Sequence, residues 1–472
     1  MKIREKIGIA LLVVGFLGLI VPGLEAVEIK VKCDKGQSVQ SALDALTGPA
    51  TLTVTGACHE NVVIKQDDLT LQGGTYNALN PARDTILVQG ARRVTITSVT
   101  VTGGLAGVVA YQGGSVTLQN SLIRNNVEKG VVAAYGSSLS VDYSIIRDNT
   151  GLGVFVNDNS ALVLTNSSIT GNYGTGVLVQ RASSARIGRN IAGVAGPNKI
   201  TNNGGSGVAV FMSAYALIDG NAITDNSGNG VFFEGASGTV TNNTILNNQA
   251  KGVEVNGSGH ARIGTTEGNQ PGPNTIESNR QQGILIANGA AAYMLNNQIK
   301  SNGLTTGRAG VGIYRASARL IGDNIIEANG GHGVDVTQGT LYQGKGDWSF
   351  TPGPDIIKQN GYSGISAWNA ASLDIQNATV TNNAQNGIVL SLQSTLHIYG
   401  STVSENDWDG IRLWDGSSVA RYSTDSPRDN IAGNLGWGIV CYGGSNLVGG
   451  TGDSGVSGNL GGQVNCPPII FP

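Results

Sequence analysis

The sequence predicts an all-β solenoid, one chain wound into stacked β-coils. Three observations predict it. The first is a period. V-T-L-Q-N-S-L-I-R-N-N-V-E-K-G-V-V-A-A-Y-G-S-S, Val116 to Ser138, is followed by two more 23-residue units of the same form, 139–161 and 162–184. Each unit is two or three short alternating segments, too brief for a helix of about ten residues. The second is a column of asparagines at Asn126, Asn149, Asn172, Asn203, Asn226 and Asn248, continuing to Asn459, with Ile or Val three places before each. The third is the Gly that opens the next strand, from Gly130 to Gly438.

Each column has a physical reason. Coils lie about 4.8 Å apart, so aligned Asn side chains can hydrogen-bond along the stack as a ladder. Asn also tolerates the left-handed bend of a sharp turn. The Ile/Val column is the matching interior stack, and the Gly column marks a tight backbone position. The pattern resembles the right-handed parallel β-helix of the pectate-lyase-like superfold over residues 50–465. That resemblance implies one single-stranded, right-handed parallel β-helix of about 16 coils, a rod of roughly 70–75 Å. It specifies the fold far better than the activity, because lyases, hydrolases, esterases, epimerases and binding proteins share it.

Residues 1–26 read as a secretory signal peptide: basic Lys2, Arg4 and Lys6, an apolar run from Ile7 to Val21, and Leu24-Glu25-Ala26 before the cut. Residues 27–68 read as an N-terminal cap and first coil, and 69–472 as the helix proper with its end coil. A secreted, periplasmic or cell-surface protein is expected, with no membrane span in the mature chain. Export makes the four cysteines informative. Cys33 and Cys58 flank the first helix and strand; Cys441 and Cys466 flank the last coil. Bridges Cys33–Cys58 and Cys441–Cys466 are expected, one at each fraying end of the rod, each contributing about 3 kcal/mol. Gly36 to Leu46 reads as a short capping helix with Ser38 at its start and Val39, Ala42, Leu43 and Leu46 on one face. Its stretch S-V-Q-S-A-L-D-A-L resembles the opening of pectin-methylesterase-like proteins. His59 and Glu60 read as structural or surface residues.

From Ala185 a longer period appears. The segments starting at Arg186, Arg262 and Tyr342 enlarge one coil in three, with a shorter relative at Arg421. These loops are expected to project from one side, where repeat arrays usually bind.

Composition narrows the function. Charged residues are 13% of the chain and the formal net charge is −3, which gives no electrostatic case for nucleic acid. Three patterns bear on catalysis. Gly331-His332-Gly333 echoes the G-H-G of polygalacturonases, but the preceding coil, Thr305 to Ala318, carries no acid. His332 therefore reads as a surface residue. A calcium-dependent lyase needs converging carboxylates. Glu254 and Asp335 stand three coils apart, about 14 Å, so no metal or cofactor is expected. The stretch 404–416, S-E-N-D-W-D-G-I-R-L-W-D-G, puts Asp407, Asp409, Arg412 and Asp415 beside Trp408 and Trp414 and is the densest chemical feature. Tyr314, Trp368 and Trp414 also recur two coils apart, about 9.6 Å, in one outward column. This is close to a disaccharide of an extended chain, and exposed rings stack on sugar faces. The reading is an exported, non-catalytic β-helix that binds a polysaccharide or cell-surface partner along an aromatic face. The alternatives are a polysaccharide-active enzyme of the same fold and a structural or adhesive rod.

Overall fold

The computed structural model describes residues 26–266, 268–344, 352–421, 428–448 and 455–467. The proposed signal peptide before Ala26 lies outside them, as do Trp348 and parts of the third and fourth loops. Each coil makes three strands, one in each of three sheets, and every paired strand is parallel to its neighbour. One coil runs Ser115–Gln119, Leu122–Arg124 and Lys129–Ala134, in sheets 1, 2 and 3. The next coil repeats it in register, with Val116 beside Leu139, Ile123 beside Ile146 and Val131 beside Val154.

Sheet 1 holds 18 strands among the described residues, so the rod has about 18 turns rather than the expected 16. The expectation missed Val27–Lys32, which pairs residue for residue with Ala50–Thr55 ahead of the helix. Its V-E-I-K-V-K alternation is itself a strand pattern. At about 4.8 Å per coil the rod is roughly 80 Å long.

The capping helix is shorter than expected, Val39–Asp44. Gly36, at φ 78°, ends a preceding 3-10 turn at Cys33–Lys35 and so cannot join the helix. Ser38 Oγ accepts the Ser41 N–H. Glu60, from the first coil, reaches over the same end. Its carboxylate accepts the Val39 and Gln40 N–H groups at 2.8 and 3.1 Å and the Ser38 hydroxyl at 2.8 Å. A carboxylate there meets the positive end of the helix, which gives Glu60 its structural role. Both disulfides form as expected, with Cα separations of 5.0 and 4.8 Å.

The asparagine ladder runs unbroken from Asn126 to Asn459. At Asn226, Oδ1 accepts both the backbone N–H and the Nδ2–H of Asn203, at 3.1 and 3.0 Å. Its own Nδ2 donates to Asn248 Oδ1 and to the Ile200 carbonyl. The left-handed bend, however, sits one residue earlier than expected. Asn202, Asp225 and even Ala328 take φ near +55°, not the ladder Asn. The opening Gly is compulsory: a Cβ on Gly230 would lie 2.4 Å from the Ile245 methyl and 2.6 Å from the Gly252 carbonyl.

A second ladder, which the sequence reading missed, fills the turn between sheets 1 and 2. Ser121, Ser144 and Ser167 lead into Asn198, Asn221, Asn243, Asn274, Asn297 and Asn324. It ends on Asp355, whose Oδ1 accepts from Asn324 Nδ2 at 2.7 Å. The long loops leave from this turn. The carbonyls of Gly196, Gly272 and Gly353 accept the N–H groups of Asn166, Asn242 and Asp323, folding each loop back over the preceding coil.

Asn226→Ala leaves the Asn203 backbone N–H without its acceptor and removes one partner each from Asn203 Nδ2, Asn248 Oδ1 and the Ile200 carbonyl; a buried group left unsatisfied costs about 1–3 kcal/mol. It should lower the melting temperature more than any exposed Asn→Ala change; an unaltered melt would show that the ladder is dispensable. Asp355 is buried, which pushes its carboxyl up from 3.8 to about 6, opposed by its hydrogen bonds. The folded pKa exceeds the unfolded one, so ionisation costs stability above about pH 6 and the cost fades as pH falls toward 4. Asp355→Asn keeps the acceptor for Asn324, and its new N–H, in place of the oxygen that accepts from Gln343 Nε2, meets Gln343 Oε1 once that amide turns over. Melting curves should show the variant more stable than the parent at pH 8, with the gap closing toward pH 4.

Candidate functional site

Sheet 3 presents the aromatic column. Tyr314 lies beside Thr337, and Thr337 beside Trp368. Backbone bonds from Ser391 to Ala367, Trp414 to Leu390 and Tyr442 to Leu413 carry the column on. Its members differ in posture. Trp368 is 42% exposed and donates its indole N–H to Ser366 Oγ at 2.7 Å. Trp414 is 38% exposed and stacks on Tyr442, centroids 4.5 Å apart and planes at 22°. Tyr314 lies flat over Gly312, where a Cβ would meet its ring at 3.2 Å. It is half-buried, and its hydroxyl donates to Asp335 at 2.9 Å.

The acidic stretch divides by burial. Asp409 is 2% exposed. One of its oxygens accepts Arg412 Nε–H at 2.5 Å and the other the Trp437 backbone N–H at 2.6 Å. The Arg412 guanidinium sits 5.5 Å from the Trp408 ring and 5.8 Å from those of Trp414 and Tyr442. Asp409 and Arg412 thus brace an aromatic cluster from below, with their charges matched. Asp407 and Asp415 stay exposed, and Asp415 accepts the Ser391 hydroxyl. The structure therefore groups Trp408, Asp409, Arg412, Trp414 and Asp415. Tyr314 stands four coils away, about 19 Å, in another cluster.

That other cluster was missed. Tyr314 and Asp335, on strands of sheet 3, meet Gln282, His332 and Ser363 from the turns that lead into that sheet. Gln282 is buried, donates to the Tyr314 hydroxyl at 3.5 Å, and leaves its Oε1 without a partner. His332 is half-buried rather than on the surface as expected. Its Nδ1 accepts the Ser363 N–H at 3.2 Å and its ring packs edge-on against Tyr362. The neutral ring then carries its hydrogen on Nε2. The covering element is the turn 303–309, where the Arg308 carbonyl accepts the Gly331 N–H. The signal was present: Asn302 and Gly310 are eight residues apart, where the other ladder Asn residues from Asn126 to Asn434 stand four before their Gly.

Burial pushes the Tyr314 phenol up, and the Asp335 charge pushes it further. Burial holds His332 below its ordinary value of 6.5, with Asp335 opposing. At neutral pH the cluster offers a protonated phenol and a neutral imidazole, groups able to hydrogen-bond sugar hydroxyls or to relay a proton. Among the described residues the metal-ligand grouping is Cys33, Cys58 and Glu60. Its sulfurs are in a disulfide and its carboxylate caps the helix, so it is already committed.

These coils and their outer face define a parallel β-helix protein. Residues 51–192, 197–299 and 282–459 match the family described as the right handed beta helix region, and the chain belongs to that family. Among solved structures, it is similar to the periplasmic alginate epimerase AlgG at 13% identity, over 80% of this chain and 78% of that one, with a TM-score of 0.38. An alginate lyase from Paenibacillus sp. str. FPU-7 aligns at 14% identity over 68% of this chain and 98% of that one, TM-score 0.30. A tailspike protein of E. coli bacteriophage HK620 aligns at 11% identity over 86% and 76%, TM-score 0.30. No match is found among curated protein sequences.

The cluster's electrostatics can be read by NMR titration. His332 should titrate below 6.5, and Asp335→Asn should lower it further by removing the charge that favours the imidazolium. A value at or above 6.5 would mean the ring is solvated.

Proposed function

We propose that this is an exported glycan-binding protein that holds an extended polysaccharide along the outer face of sheet 3. The observation that carries the reading is the pair of exposed indoles, Trp368 and the Trp414–Tyr442 stack, in one column two coils apart. That repeat, about 9.6 Å, supports two stacking platforms under alternate sugars, with exposed Asp407 and Asp415 placed for hydroxyl groups. The end disulfides support export, because such bridges persist in oxidising compartments. No helix among the described residues is long and apolar enough to cross a membrane.

A second reading is favoured by one observation, the Tyr314–Asp335–His332 cluster beside the same column. A phenol and an unprotonated imidazole near one another fit proton transfer on a bound sugar, and make the face the site of a polysaccharide-active enzyme.

One set of measurements separates the readings. Trp368→Ala and Trp414→Ala should each weaken binding of neutral β-linked oligosaccharides at least tenfold, about 1.4 kcal/mol. Unchanged affinity would remove the platform. A screen for new reducing or unsaturated ends should find none if the face only binds. Product formation that Tyr314→Phe abolishes, with binding retained, would establish the enzyme reading instead.

A further inference from the structure

The outer face of sheet 3 changes character along the rod. Its central outward column runs in unbroken parallel register from Val63 and Leu87, through Val132 and Phe155, to Ala209 and Phe232. Every residue in it over these eight coils is Val, Leu, Ala or Phe, and only the next coil brings a charge, Glu254. The other two faces of the same coils are polar. Thr70, Thr95 and Thr117 follow one another on sheet 1, and Arg124, Arg147 and Thr170 on sheet 2. Part of the strip forms a hydrophobic cluster outside the main core, where Val109, Val132 and Ala134 pack against Leu87, Tyr111 and Phe155. Lys129, at its margin, is paired with Glu128 and lies over the Phe155 ring at 5.7 Å. A contiguous apolar strip on an outer face marks an interaction surface.

Size and charge say what covers it. The strip is about 34 Å long and 13 Å wide, roughly 450 Å² on one copy. Tyr135 and Met212, 56% and 58% exposed, extend it along one edge. On that side the alternation places Lys65 two residues after Val63, and Glu234 two residues after Phe232. A cation and a carboxylate therefore stand in one column, at opposite ends of the apolar run. No charged residue lies between them in that column, which passes through Gln89, Tyr111, Ala134 and Phe211. The central column itself offers a small polar ligand no hydrogen-bonding side chain.

We propose that this strip is the interface of an antiparallel homodimer, in which a second copy of the chain packs face to face on it. The two-fold axis lies along the strand direction, between the coils of Val132 and Phe155. Such an axis keeps the position along the strand and sets each coil against the one counted from the opposite end. Val132 then meets the partner's Phe155, Leu87 the partner's Ala209 and Val63 the partner's Phe232, so large side chains face small ones. Lys65 meets the partner's Glu234, once at each end. A two-fold interface must be complementary to itself in this way. The end charges also select the direction. In a parallel pairing Lys65 and Glu234 stay seven coils apart, about 34 Å. Two strips with their edges reach about 1,000–1,200 Å², where specific interfaces begin. The aromatic column begins at Tyr314, three coils beyond Phe232 and outside the overlap, so the dimer does not rest on the glycan reading.

The test is sedimentation of the exported chain, residues 27–472, which should show a monomer–dimer equilibrium. Phe155→Asp, an outward change, should weaken the dimer at least a hundredfold. Lys65→Glu and Glu234→Lys should each weaken it at least tenfold, and the two together in one chain should restore it. These changes lie at the ends of the strip and serve if Phe155→Asp melts early. Direction is read by cross-linking, since all four native cysteines are in disulfides. A short bis-maleimide should join a Lys65→Cys chain to a Glu234→Cys chain in a mixture, and should join neither variant to itself. A chain that stays monomeric at high micromolar concentration, a dimer indifferent to Phe155→Asp, or a charge exchange that restores nothing would overturn the proposal. So would a monomer whose strip takes a glycan or a lipid instead. Failure of the glycan reading shows separately, as neutral-glycan binding that ignores Trp368 and Trp414.

Discussion

The structure depends on one constraint: whatever one coil leaves unpaired, the next coil must pair. Backbone donors and acceptors are met along the rod by parallel neighbours, and an interior that excludes water cannot leave side-chain amides unmet either. The Asn ladders satisfy this by making every turn identical to the one above it. An Asn amide has two donors and a carbonyl with two acceptor sites, and Asn226 uses all four. Only a residue with that inventory can pass the pattern on unchanged, so the columns are uniform where the turns are tight. The ends, where nothing passes the pattern on, are closed instead by the helix with its Glu60 cap and by two disulfides.

Much of this was legible because identical columns repeat in sequence. The Ile, Asn and Gly positions recur at fixed offsets, and the sheet register follows from them. The second ladder was equally legible, since Ser or Asn stands two residues before the interior Ile from Ser121 to Asn324. It escaped notice because Ser and Asn in a turn carry no signal singly. The left-handed residue was assigned one place late for a similar reason. The chain constrains the bend, and residues as different as Asp225 and Ala328 accept it. The candidate sites were harder to read. Outward residues are free to differ from coil to coil, so their chemistry emerges only when register places Tyr314 against Asp335, or Arg319 against Tyr342. The burial of Asp409 and the cover over His332 depend on neighbouring turns, which a single column does not reveal.

The three faces of the rod have distinct characters as a result. Sheet 3 offers rings with matched charges beneath them. Sheet 1 offers arginines laid on tyrosine rings between loops. Sheet 2, with its three-residue strands and two flanking ladders, serves mainly to hold the other two in register. Because the interior is indifferent to what the outside carries, each face can acquire its own chemistry without disturbing the fold.

The loops fold back onto the coil before them and recur at every third coil. A block of three coils therefore carries a complete wall and a complete floor, and presents the same interface at its top and bottom. Copying or deleting such a block lengthens or shortens the rod while the ladders rejoin across the seam. The protein is in this sense a measuring tape, and the reach of whatever lies along it can change in whole marks rather than residue by residue.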